Sequence, residues 1–515
     1  MKTRLALFAF LIILIALSAT ILEPPSSQDL KSVAVPVLGQ TSTPGPPPTT
    51  WWTLAGNPYR TAAVTVGSMG LTGAPTSQWT FDPTGDDFPF HANPVAADFN
   101  GDGIIDVALV NAAGALYIVR IDNGVQQLRL APPDLELGSF SAPTAYDVDG
   151  DGRAELIALT ASVRTGGKQL VCIKFTTTWS WSVLWRTSLP FVESHPPTSP
   201  LVWRLDPNGP PLVLVSAGDG LYAIDATTGF LVWHHKSYGL SFVSSPALLD
   251  DVNGDGVLDV VYTRGYPAVV YVVSGKDGKT IREWRLWELD TRLNGLLIIH
   301  SPVVGKVVGA VCKDVVVSVG KETFAQSGGL WYKSGSVGYL VVLNPCTNAF
   351  YVISPPSERT FFVWFSQPAI ALADVDKDGL DEIFVVGEDL YLHRIDYSPA
   401  TGTFDIKWSA APPSPIGPNT GTRDAVARTA SLAVVEVNGD GVLDLLVMYQ
   451  TGSTTSLTYT LRAIRGDTGA SIWTATAITE TGTGLKYTFT SISVVSVDGI
   501  PRAIVTAFDR VIRYG

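Results

Sequence analysis

The chain is poor in sulfur and in histidine, with three cysteines, three methionines and six histidines in 515 residues. So few cysteines cannot build a disulfide-dense scaffold, and no Cys-His cluster with zinc-ligand spacing occurs. Basic residues are also scarce: 35 lysines and arginines stand against 47 acids, for a formal net charge of −12. They form no stripe, which excludes nucleic acid as a partner. No Asn-x-Ser/Thr sequon is present, so surface N-glycans are not expected. The familiar catalytic signatures are missing as well: there is no HExxH, no GxSxG and no phosphate-binding P-loop.

What the chain does have is one nine-residue pattern written five times, acid-x-[Asp/Asn]-x-Asp-Gly-x-x-acid. The copies are DFNGDGIID from Asp98, DVDGDGRAE from Asp147, DVNGDGVLD from Asp251, DVDKDGLDE from Asp374 and EVNGDGVLD from Glu436. Positions 1, 3, 5 and 9 bring hard oxygens together, position 7 adds a backbone carbonyl, and Gly at 6 permits a sharp turn. A short loop wraps Ca²⁺ in this way. The expected ligand sets are Asp98, Asn100, Asp102, Ile104 and Asp106; Asp147, Asp149, Asp151, Arg153 and Glu155; and Asp251, Asn253, Asp255, Val257 and Asp259. The last two sets are Asp374, Asp376, Asp378, Leu380 and Glu382, then Glu436, Asn438, Asp440, Val442 and Asp444. Asn-Gly and Asp-Gly are also ordinary hairpin turns, but five copies in register outweigh that alternative. Five bound Ca²⁺ would bring the formal charge from −12 to about −2, so the acidity belongs to the loops rather than to a general acidic surface. Crowded carboxylates repel without metal, so calcium is expected to be structural.

The flanks discriminate among calcium motifs. An EF-hand closes with Glu at position 12 and lies between helices. Here the acid falls at 9, and the following runs VALV, LIAL, VVY, IFVV and LLVM read as buried strands. A strand–loop–strand unit of this kind excludes EF-hand and dockerin. It resembles the FG-GAP/VCBS repeat family, the integrin-α-like calcium-loop β-propellers.

Longer repeats surround the loops. Segments such as HANPVAAD, FSAPTAYD, FVSSPALLD and FSQPAIALAD precede them, and two further strands follow, several ending in Trp (Trp233, Trp284, Trp473). Those tryptophans suit packing between repeats. Eight starts align, near Pro94, Pro143, Pro200, Pro246, Pro302, Pro368, Ala430 and Ser491, at spacings fitting a four-stranded blade plus insertions. Three repeats lack the full loop: Asp206-Pro-Asn-Gly is degenerate, the segment after Pro302 has no acid cluster, and Ser496-Val-Asp-Gly is a short turn. The last repeat has only three strands, and Ser77–Phe81 is an orphan outer strand that would pair with the C-terminus and hide both edges. The expected fold is all-β, an eight-bladed propeller (seven as the alternative) over residues 51–515. Residues Trp51–Ala62, WWTLAGNPYRTA, are similar to the opening segment of quinoprotein-like propellers. Those alcohol dehydrogenases carry adjacent cysteines beside their cofactor, and this chain has none. Cys312 and Cys346 fall in the fifth repeat and could pair across its strands, leaving Cys172 as a lone buried thiol.

At the N-terminus, Lys2 and Arg4 precede an apolar run from Leu5 to Leu17, followed by small residues and Pro. Residues 1–22 therefore read as a secretory signal or as an uncleaved membrane anchor through residues 5–22. Residues 23–50 are rich in Pro, Ser and Thr and read as a stiff spacer. Both readings put the protein outside the cytoplasm, released or at the cell surface.

The resemblance also implies a ligand face. In integrin-like propellers the mouth opposite the calcium loops is the usual one, and here its positions hold His91, His195, Phe242, His300, Trp364, Gln367 and Arg428. Side chains of this kind fill a propeller throat in any case; as a group they would suit a sugar or an acidic polysaccharide. Three functions follow. One is an adhesion or recognition module for a polysaccharide or surface protein. Another is a polysaccharide lyase of the rhamnogalacturonan-lyase type, with His91, His195 or His300 as base and Arg428 holding the substrate carboxylate. The third is a scaffold in a surface assembly.

Overall fold

The computed structural model describes residues 33–34, 57–58, 60–83, 88–138, 141–160, 169–190, 198–237, 244–298, 300–309, 311–327, 330–356, 370–387, 390–413, 429–453, 456–481, 491–497, 499–507 and 510–514. They form eight antiparallel sheets that follow one another along the chain. The first sheet shows the plan: Val95–Ala97, Asp106–Val110, Leu116–Arg120 and Gln126–Leu130 pair in chain order, from the inside outward. The two middle strands are buried on both faces because neighbouring sheets cover them, so they read as unbroken apolar runs. Outer strands face water on one side and alternate instead, as Thr403–Ala410 does.

The first strands of the eight sheets are Val95–Ala97, Thr144–Tyr146, Leu201–Trp203, Ala247–Leu248, Val303–Gly305, Ile370–Ala373, Thr429–Glu436 and Ser491–Val497. Each begins within two residues of an expected start. Neighbours are stitched side by side: Thr144 Oγ1 donates to the Pro200 carbonyl at 2.5 Å, and Ser199 N donates to Ser245 Oγ at 2.7 Å. Between the seventh and eighth sheets, Ile492 N donates to Ser431 Oγ at 3.2 Å; between the eighth and first, Ser493 Oγ donates to the Pro94 carbonyl at 3.0 Å. The eighth sheet takes its outer strand from the other end of the chain, for Ser77–Phe81 runs antiparallel to Arg510–Tyr514.

Tryptophans tie the outer parts of the sheets together. Trp185 Nε1 donates to the Ala226 carbonyl at 2.8 Å while its ring covers Gly229, where an added Cβ would sit 2.8 Å from a ring carbon. Trp233 repeats this on Gly275 and Gly278, and Trp408 on Gly466 and Gly469. Trp284 Nε1 donates instead to Asn348 Oδ1. The contact also spans the closure, since Trp79 Nε1 donates to the Ile121 carbonyl at 2.9 Å above Gly124. The sequence assigned Trp233, Trp284 and Trp473 to such packing; Trp473 donates to the carbonyl of Leu71, ahead of the closing strand.

The periodicity gave no sign of one feature. Residues 57–58 and 60–62 run among the inner strands, with Pro58 O accepting from Leu248 N, Thr61 O from Leu372 N and Ala62 O from Val434 N, at 2.8–3.0 Å. Ala63–Ser68 then lies parallel to Thr429–Glu436, an exception in an otherwise antiparallel fold. Arg60 is 1% exposed and donates to the Pro246 carbonyl (Nε, 2.8 Å) and the Ser199 carbonyl (Nη2, 3.4 Å). Burial pulls its pKa down to about 9. The chain thus supplies its own filling between the inner strands.

The short strand Val33–Ala34 pairs with Arg186 and Trp185 at the outer edge of the second sheet. Cys312 and Cys346 are disulfide-bonded with Cα atoms 6.2 Å apart, and Cys172 is free and buried. Among the described residues no helix is long and apolar enough to cross a membrane.

Candidate metal centres

All five nine-residue segments join the first and second strands of a sheet, and they share one hydrogen-bond scheme. The position 1 acid accepts backbone N–H groups across the turn: Asp147 takes Gly150 at 2.6 Å and Gly152 at 2.9 Å, and Asp251 takes Gly254 at 2.7 Å and Gly256 at 2.8 Å. The position 5 carboxylate accepts from the position 7 amide, as Asp102 does from Ile104 at 2.8 Å and Asp378 from Leu380 at 2.8 Å. Gly at position 6 has φ between +79° and +89° in every loop, the left-handed region that a side chain disfavours. At position 4 four loops also have Gly; in the loop of Asp374, Lys377 holds φ +63° there.

Position 9 reveals the chemistry. Asp106, Glu155, Asp259, Glu382 and Asp444 are buried at the head of the second strand. In four of them one oxygen accepts the position 2 amide: Val148 to Glu155 at 2.9 Å, Val252 to Asp259 at 2.8 Å, Val375 to Glu382 at 2.7 Å and Val437 to Asp444 at 3.1 Å. The second oxygen of Asp106, Glu155 and Asp444 is buried with no hydrogen-bond donor, as is Asp149 Oδ1. Such oxygens are costly unless a cation meets them. Desolvation, aided by the other loop acids, pushes Asp106, Glu155 and Glu382 up to about 8, Asp444 to about 7 and Asp259 to about 6.

The fifth sheet supplies an internal comparison. Asp314 starts its second strand as the position 9 acids do, and Oδ2 accepts from Val307 and Val308 at 3.0 and 2.8 Å. Its other oxygen is not left bare, because Asn344 Nδ2 donates to Oδ1 at 2.7 Å. Where the loop pattern is absent, an amide satisfies the buried carboxylate. Where the pattern is present, the same oxygen in three sheets lacks a donor. The all-oxygen donor set, with buried carboxyl oxygens that lack a hydrogen-bond donor, fits a hard divalent cation.

Ligand atoms gather within 4.8 Å of one another in three loops, through Asp147, Asp149 and Glu155; Asp374, Asp376, Asp378 and Glu382; and Glu436, Asp440 and Asp444. The loops of Asp98 and Asp251 keep the same backbone scheme but do not bring three carboxylates that close. The third sheet has only a tight turn, in which Asp206 Oδ1 accepts from Asn208 N at 2.8 Å.

Of the expected ligand face, His195, Phe242, Trp364, Gln367 and Arg428 lie outside the described residues. His91 and His300 are described. Desolvation pulls the His91 imidazole down to about 4, and His300 is 5% exposed.

Residues 98–158, spanning the first two loops, match the family model described as FG-GAP-like repeat. Over the whole chain the similarity is one of fold. Quinohemoprotein alcohol dehydrogenase ADHIIG from Pseudomonas putida HK5 aligns with a TM-score of 0.50 at 9% identity, covering 90% of this chain and 80% of that one. A europium-containing methanol dehydrogenase aligns at 0.49 with 13% identity and 88% of each chain. BamB from Moraxella catarrhalis aligns at 0.44 with 11% identity, covering 86% and 97%. No curated protein matches the sequence. The chain is a β-propeller that carries an FG-GAP-like repeat.

Proposed function

We propose that this protein is an eight-bladed, calcium-stabilised propeller, secreted or tethered at the cell surface, that acts as a recognition module for a polysaccharide or a surface protein. Each of the eight sheets is then a blade, and up to five Ca²⁺ are structural. The observation that carries the metal part is the contrast between Asp314, whose Oδ1 is satisfied by Asn344, and Asp106, Glu155 and Asp444, each with one buried oxygen lacking a donor.

Recognition rather than catalysis is supported by the filled centre. Arg60 and its neighbours bond to the inner strands where a channel-bound substrate would have to sit. Of the bases a lyase would use, His300 is buried and His91 is half-buried. Export is supported by the apolar run Leu5–Leu17 after Lys2 and Arg4.

The test is to incubate the calcium-saturated protein with a panel of polysaccharides that includes uronic acid polymers. Depletion of protein onto a polymer and ultraviolet absorbance of unsaturated products are followed together. Retention without product is the expected result. Product release would replace this reading with a lyase, and neither signal would replace it with a scaffold in a surface assembly.

A further inference from the structure

Four of the five loops are reached by a basic side chain from the third strand of their own sheet. Lys174 Nζ contacts the Asp149 carboxylate and lies 2.7 Å from Asp151 and 3.6 Å from Glu155. Arg394 lies 2.5 Å from Asp376 and 3.7 Å from Glu382. Arg465 contacts Asp440, and Arg120 stands farther off, 3.5 Å from Asp102. In the loop of Asp251 the corresponding place is held by Ser274, 3.3 Å from Asp255, and among the described residues no ion pair reaches that loop.

The arms correlate with loop geometry. The three loops whose carboxylates gather within 4.8 Å are those with Lys174, Arg394 and Arg465 in direct contact. The loop with the distant Arg120 and the loop with Ser274 are not so gathered. A cation draws mutually repelling carboxylates together, and here the cation belongs to the protein.

Lys174 is the extreme case. It touches three of the four side-chain ligands of its loop, and the side chains of Asp149 and Glu155 are only 3% and 0% exposed. This is not the exposed pair whose worth is close to nothing. The ammonium sits on a flexible stem that is 19% exposed, so it can swing outward when a divalent ion enters.

We propose that Lys174 is a resident cation that stands in for the metal in the loop of Asp147 to Glu155. This loop then keeps its fold without metal and binds calcium more weakly than the others. The loop of Asp251 to Asp259, which no ion pair reaches among the described residues, depends on the metal most. The inference rests on the calcium reading above and adds a ranking among the loops.

The test uses the full chain with Lys174→Met and Lys174→Arg. Calcium binding is measured by titration calorimetry, and melting is followed in EGTA and in excess calcium. In Lys174→Met the weakest class of sites tightens by about tenfold, as removal of one opposing charge near four carboxylates requires. Its melting temperature falls in EGTA, matches wild type in calcium, and returns in EGTA with Lys174→Arg. If wild type binds calcium while Lys174→Met changes neither the weakest affinity nor the EGTA melt, the proposal is overturned. If wild type binds no calcium and melts identically in EGTA, the metal reading itself fails, and this proposal with it.

Discussion

The Arg60 guanidinium donates through Nε to the Pro246 carbonyl at 2.8 Å, joining residues 186 positions apart in the middle of the sheets. A second bond reaches the Ser199 carbonyl. Replacing Arg60 by Met keeps much of the volume but strands these carbonyls in a dry interior. The expected cost is about 2–3 kcal/mol, from the loss of charge-assisted bonds. Urea unfolding of the two proteins at equal calcium measures it; an unchanged midpoint would show that the segment contributes nothing to stability.

Trp185 and Gly229 form a matched pair. Trp185→Ala removes a side chain that is 1% exposed and loses its bond to Ala226, at a cost of about 3–5 kcal/mol. Gly229→Ala places a Cβ 2.8 Å from the ring at φ +75°, so it destabilises through both strain and overlap. Because they share one contact, the double variant is less destabilised than the sum of the two. Full additivity in melting experiments would contradict the docking described.

On the proposed calcium reading, chelation leaves the buried loop carboxyls without their divalent ion, and EGTA is expected to lower the melting temperature by many degrees. The pH dependence of the chelated protein has a definite sign. The carboxyls of Asp106, Glu155 and Glu382 are raised to about 8 when folded. An acid raised on folding contributes stability that is fully present below its unfolded value, near 4, and is lost as pH rises through the folded value. The EGTA-treated protein therefore loses stability steadily between about pH 4 and 8, and saturating calcium flattens the slope. A chelated melt that rises with pH across this window would refute the assignment.

Asp444 and Asp314 separate metal ligation from ordinary burial. Asp444→Asn removes a buried charge that has one oxygen without a donor. It lowers the melting temperature in calcium but raises it, or leaves it unchanged, in EGTA at pH 8. Asp314→Asn disrupts an acceptor already satisfied by Val307, Val308 and Asn344, and costs the same with and without calcium. Equal calcium dependence for the two variants would remove the distinction between these sites.

Much of this architecture is local and therefore legible. The inner strands begin within two residues of the starts read from the pre-loop segments, because each buried run is bounded by its own loop and turn. The closing of Ser77–Phe81 on Arg510–Tyr514 follows from one orphan strand at each end, since neither edge is tolerable alone. The acidic clusters were readable too: the acids at positions 1, 3, 5 and 9 meet in three of the loops as the pattern requires.

Position in three dimensions determined the rest. Trp51–Ala62 read as the opening segment of the propeller, but nothing in it signals that Pro58, Thr61 and Ala62 bond to Leu248, Leu372 and Val434, because those partners lie far along the chain. Asn344 carries no signal that it will satisfy Asp314, nor Lys174 that it will reach Asp149 and Asp151. By itself the sequence determined the repeat, its loops and the strand that closes the last sheet, since these depend on hydrophobic period and on backbone conformations written within nine to fifty residues. Only the tertiary structure decided which buried carboxylates meet an amide, which meet a lysine and which keep an oxygen without a donor, because a charge in a dry interior is settled by whichever groups the fold brings within about 3 Å.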